Sequence, residues 1–201
     1  MNLLLDGLPG SVQIAGREVP IDTSFRTAIL FEEAIQDIGL SDEQKIETAL
    51  QLYYHDERIT AGEVEEAVER MLWFYRCGAD PETGESQTDN DDSKQSFSYE
   101  YDAEYIYAAF LQTYHIDLTH NSLHWWQFRA LFRALPEDTQ LMKIIGYRTM
   151  KIPPKTPKDQ KQFYERMKRV YKLPESADRK QLENDLTEML MKGGDVSSLL
   201  N

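Results

Sequence analysis

Residues 114–135 read YHIDLTHNSLHWWQFRALFRAL and hold two of the chain's three tryptophans, three of its four histidines and two of its phenylalanines. From Ser122, a residue suited to cap a helix, the pattern takes the helical period through Ala134. Leu123, Trp126, Ala130 and Leu131 fall on one row, Trp125, Phe128 and Phe132 on another, and only Arg129 and Arg133 make a charged stripe. A helix apolar around most of its circumference is buried on several sides, so other helices are expected to pack around this one. Aromatic side chains bury large areas and lose little conformational entropy, which places such a cluster at the centre of a core or of a binding surface. The row of Trp126, Leu123 and Leu131 reads as core. The row of Trp125, Phe128 and Phe132 reads as the one open to a partner.

The flanking segments repeat the helical period. A Tyr-rich stretch over about 99–114 precedes the helix, with Tyr101, Tyr105 and Ala109 one turn apart; Leu141, Ile144 and Ile145 mark a helix over about 138–150. Pro153, Pro154 and Pro157 then enforce an extended connector, because proline disfavours helix in the residue before it. A basic helix over about 158–172 and a last helix from near Asp178, stopped by Gly193-Gly194, complete the second half.

Upstream, Ser11–Ile14 and Glu18–Ile21 alternate about Ala15-Gly16-Arg17 and predict a β-hairpin, with Pro20 restricting the second strand to an edge. Phe25, Ala28, Ile29, Phe31, Ile35 and Ile38 form an apolar stripe on the first helix. Ser41 with Gln44, and Thr60 with Glu63, have capping-box spacing and start two more helices. The expectation is therefore a mainly α protein, a bundle of about seven to eight helices with a small N-terminal hairpin. Three sections follow: an acidic hairpin and three helices in 1–77, an acidic and polar linker or loop in 78–98, and an aromatic and basic helical region in 99–201. Spacing does not separate a linker between two units from a loop interrupting one core, but a hairpin and three helices make a small unit, which favours one shared core.

The net charge of −13 is unevenly placed: residues 1–96 carry 21 acidic and 7 basic side chains, residues 97–201 carry 14 and 15. Residues 129–172 hold 12 Lys or Arg against 4 Asp or Glu. Such polarity orients a molecule against charged partners or against its own copies. It argues against nucleic acid, whose phosphates the acidic half would repel. No apolar run approaches the roughly 20 residues of a membrane helix, and the N-terminus lacks the basic and long apolar regions of a signal peptide, so an intracellular protein without membrane contact is expected.

Motifs for chemistry are missing from the sequence. It contains no GxxxxGK[ST], no GxGxxG after a strand, no GxSxG and no HExxH. Asp89-Asn90-Asp91-Asp92 lacks the glycine and terminal glutamate of a calcium loop. His120 and His124 stand four apart with His115 and Asp117 nearby, but a helix starting at Ser122 separates the pair, so capping and packing are expected of them rather than metal binding. Lone Cys77 at a helix C-terminus is poorly placed for a thiolate. No catalytic, cofactor or metal residues are assigned, and no enzyme is expected.

The runs YIYAAFLQTYHIDL (105–118), LHWWQF (123–128) with Leu131 and Leu135, and IIGYR (144–148) resemble the bacteriophage gene-product-15 family of siphophage and prophage tail modules. The hairpin leading into IDTSFR (21–26) is similar too. The resemblance implies a tail morphogenesis factor, an assembly chaperone for the tape-measure protein or another tail protein, working in the cytoplasm of the bacterial host. Its alternative is a structural virion component that associates with itself through charge polarity. The family supplies no catalytic residues. A chaperone for a helix-rich tail protein needs apolar surface to hold it and charge to stay soluble, which makes Trp125, Trp126, Phe128, Arg129, Phe132 and Arg133 the candidate contacts.

Overall fold

The computed structural model describes residues 3–55, 57–79 and 96–173. The expected final helix from Asp178 and the centre of the expected linker lie outside them. Ser11–Ile14 (β1) pairs antiparallel with Arg17–Pro20 (β2) about Ala15 and Gly16, whose φ angles are 49° and 75°. Positive φ at both turn centres matches the twist of the flanking strands. Val12, Ile14 and Val19 point inward, and the hairpin lies on the third helix, where Ala15 N donates to Glu66 Oε2 at 2.9 Å.

Seven α-helices follow among the described residues: α1 (Phe25–Gln36), α2 (Asp42–Tyr54), α3 (Val64–Tyr75), α4 (Ala103–Tyr114), α5 (Trp125–Arg133), α6 (Gln140–Thr149) and α7 (Lys158–Val170). Ser41 caps α2 through the full reciprocal box with Gln44. At Thr60 the box is also made, but it closes a 3-10 turn, Ala61–Glu63, that leads into α3. Hydrogen bonds from Thr60 and Arg17 hold the half-buried Glu63 carboxyl down at about 2. No helix among the described residues is long and apolar enough to cross a membrane.

One continuous cluster of buried side chains joins the hairpin and α1 to α3 with α4, α5 and the start of α6. Phe31, Tyr53, Phe74, Phe110 and Phe128 are at most 1% exposed, and each contributes roughly 1.5–3 kcal/mol of burial. Two starts differ from expectation. Helix α4 begins at Ala103 rather than 99, because Ser98 N donates to the buried Asp102 carboxylate and Tyr101 N to Ser98 Oγ, which folds 98–101 as a turn. Helix α5 begins at Trp125, not after Ser122, because Leu123 and His124 run extended beside Thr23 and Ser24. There Phe25 N donates to Leu123 O at 3.1 Å and Trp125 N to Thr23 O at 2.7 Å, so α1 and α5 start from one backbone bridge. The stripe on α1 also ends early: Ile35 and Ile38 are exposed, because the α1–α2 hairpin runs past the body it packs on.

At the other end, Arg148 of α6 forks onto Asp102, Nη1 to Oδ2 at 2.6 Å and Nη2 to Oδ1 at 2.9 Å. Two further donors of the guanidinium reach Ser96 O and Tyr171 O, tying the approach to α4 and the end of α7 to α6. The pair is nearly dry, so its charges must be matched in place, and the fork satisfies both carboxylate oxygens.

Candidate functional site

Helix α5 is held by its cap and by the carbonyl end of α3. The cap is His124. Its Nδ1 accepts from Trp126 N at 3.1 Å and its Nε2 lies 2.9 Å from Pro9 O. A backbone N–H can only donate and a carbonyl can only accept, so the ring is neutral with its proton on Nε2. Burial accordingly pushes the His124 pKa below its ordinary value, partly offset by the bond to Pro9. Gln127 returns a bond to His124 N and completes a capping box with histidine in the place of serine.

The carbonyl end of α3 is where the tryptophans go. Trp126 Nε1 donates to Phe74 O and Trp125 Nε1 to Tyr75 O, both at 2.8 Å. Arg129 Nη1 adds a second bond to Tyr75 O at 3.0 Å. The last carbonyls of a helix have no partner inside it, and a buried helix end needs donors from elsewhere. Two indoles and a guanidinium supply them, and the positive charge suits the negative end of the α3 dipole. Gly78, at φ 74°, brings the chain around this end with the Trp126 ring close against it.

The candidate contacts are thereby divided. Trp125, Trp126 and Phe128 are buried, and the row of Trp125 and Phe128 that the sequence opened to a partner is the innermost one. Trp125 stacks between Tyr75 (5.5 Å) and Phe128 (5.9 Å), and Phe128 stacks in turn on Phe25 (4.8 Å) and Phe110 (5.0 Å). The expectation fails because α1 and α4 cover this row while Leu123 and Leu131 stay only half-buried. Phe132 is half-buried against Phe97 and Tyr99, Arg129 lies over the Trp125 ring, and Arg133 is exposed.

Around Arg129 sits a half-enclosed polar cluster. Glu32 accepts from Tyr75 Oη at 2.7 Å, and its carboxyl is raised by burial despite that bond and the Arg129 charge. Burial also raises the Cys77 thiol, whose Sγ lies 3.6 Å from Arg129 Nη1. These groups satisfy one another. A shallow cleft of about 510 Å³ is lined by Asp22, Thr23 and His55, where His55 Nε2 meets Asp22 Oδ2 at 2.7 Å. The other Asp22 oxygen accepts from Ser24 N, so the carboxylate is spent on shaping the turn before α1.

The remaining histidines do separate jobs. His115 ends α4 in the left-handed region at φ 56°, and exposed His120 pairs with Asp117, whose carboxyl is held at about 2 by bonds from Thr119 and His120. Sequence reasoning passed over the exposed leucines. Leu4 is 92% and Leu5 81% exposed, with Leu3 and Leu8 beside them, and Pro9 O ties this segment to the His124 cap. The run LLLDGL was a visible signal, since leucines so close to a glycine turn have no helical period to bury them.

The family model described as Bacteriophage Gp15 protein matches residues 4–173. No curated protein and no solved structure matches the chain.

Proposed function

Because the chain belongs to the bacteriophage Gp15 family, we propose that it is a non-enzymatic tail morphogenesis factor, an assembly chaperone that binds the tape-measure protein or another tail protein in the host cytoplasm. The observation that carries this reading is the family match itself, which extends over the hairpin and all seven described helices. The surface supports it in kind. With the tryptophans committed to the core, the contact moves to the exposed Leu3, Leu4, Leu5 and Leu8; of the other candidates, Phe132 is half-buried and Arg133 exposed. Exposed leucines on a strongly acidic body suit a holder of apolar helices that must itself stay soluble.

Co-expression with tape-measure fragments tests the reading. The full chain should retain a fragment through purification, and Leu4→Ser with Leu5→Ser should release it while the circular dichroism spectrum stays unchanged. A wild-type chain that retains no tape-measure fragment and no other tail protein contradicts it.

A further inference from the structure

Among the described residues, helix α7 is covered on one side only. Tyr164, Met167 and Tyr171 are half-buried toward α6, where Tyr171 stacks on Tyr147 and Arg148 Nε donates to Tyr171 O. The adjoining row holds Phe163, Arg166 and Val170 at i, i+3 and i+7; Phe163 meets Tyr147 of α6 edge-on at 6.1 Å yet stays 41% exposed, Val170 is 62% exposed, and the Arg166 guanidinium lies over the Phe163 ring. Lys158, Lys161, Lys168 and Arg169 make the rest of the helix basic against Asp159 and Glu165. This is an apolar strip with a basic border.

The closed end of the α1–α2 hairpin carries the complementary surface. Ile38 is 58% exposed, and Ile35 and Ile46 are exposed beside it. Asp42 and Glu43 precede Ile46 by four and three residues, which puts them on its side of α2, and Glu47 and Asp37 flank it, against the single base Lys45. This is an apolar strip with an acidic border.

We propose that these two surfaces dock on each other between copies of the chain, so that α7 of one copy packs across the α1–α2 hairpin end of the next. Among the described residues each strip has an exposed apolar centre, and each border has the charge the other lacks. Apolar contact supplies the attraction, while the opposed borders set orientation and disfavour pairing of like ends. The two surfaces differ, so the contact is head-to-tail and propagates into a ring or a filament rather than stopping at a symmetric dimer. The inference is independent of which tail protein the chain binds, since it rests only on the two surfaces.

Sedimentation velocity of the full chain over a range of concentrations decides it. The mean mass should rise with concentration in dilute salt and fall when salt rises to about 0.5 M, where charges are screened beyond a few ångström. Lys161→Glu with Arg166→Glu and Arg169→Glu on α7, or Glu43→Lys with Glu47→Lys on α2, should each weaken association by roughly tenfold or more. An equimolar mixture of the two variants restores opposed borders at both junctions and should recover the larger mass. Wild type that stays monomeric at every concentration, association indifferent to salt, or a mixture no heavier than its components each overturns the proposal. The first two of these readings use the unmodified chain and do not depend on how a variant folds.

Discussion

Removing both donors from Tyr75 O should destabilise the protein by more than the two losses added together. Trp125→Phe keeps an aromatic ring between Tyr75 and Phe128 but deletes the indole N–H that lies 2.8 Å from the carbonyl. It should cost about 2 kcal/mol, roughly 1 for the hydrogen bond and the rest for ring volume lost from a close-packed site. Arg129→Met keeps an apolar stem against Trp125 and deletes the second donor; at a half-buried position that is about 1 kcal/mol. In either single variant the carbonyl keeps one strong partner. In the double variant only the Cys77 thiol, 3.9 Å away, remains among the described residues. A half-buried carbonyl left without a strong partner adds about 1–2 kcal/mol, for a total near 4–5. Urea unfolding followed by far-ultraviolet circular dichroism on the four proteins measures the coupling. Additivity within about 0.5 kcal/mol refutes the reasoning, because it means that water or another donor satisfies the end of α3.

Arg148→Met should cost about 3–5 kcal/mol by leaving the Asp102 carboxylate buried without its fork, and Arg148→Lys should restore little, since an ammonium cannot bond both oxygens and Tyr171 O together; urea midpoints read both. Gly78→Ala should lose about 1–3 kcal/mol, because alanine resists φ 74° and its Cβ would stand 3.2 Å from Trp126 Cη2; the same titration checks it. Stability should also depend on His124. Its folded pKa lies below the ordinary 6.5, so between the two values the unfolded chain binds more protons. The contribution is therefore present above the ordinary value and lost as pH falls toward the folded one, where protonation of Nδ1 breaks the cap. Denaturation midpoints between pH 7.5 and 5 should fall more steeply for wild type than for His124→Asn, whose side chain caps without titrating in that range.

Local signals in the sequence carried through to local structure. Ser41 and Gln44 form the box their spacing predicts, and Gly16 turns the hairpin where alternation of Val12, Ile14 and Val19 required a turn. What failed depended on tertiary neighbours. Ser122 is a better helix cap than His124 by intrinsic preference, yet the backbone bridge to Thr23 and Ser24 holds 121–124 extended and moves the cap two residues on. The period of α5 separated two apolar rows correctly but could not say which one α1 and α4 would cover. An indole N–H needs a partner when buried, and that partner, the carbonyl end of α3, lies some fifty residues away where no spacing rule points. Ile35 and Ile38 were misplaced for the opposite reason: a continuous stripe does not reveal where the body beneath it stops.

For the proposed role, the most direct measurement is quantitative mass spectrometry of purified phage particles beside the lysate that produced them. An assembly chaperone is abundant in the lysate, is captured there with a tail protein, and leaves no stoichiometric peptides in the finished particle. Peptides of this chain at a fixed copy number per particle, comparable with the tail proteins, would contradict that role and make the chain a component of the virion.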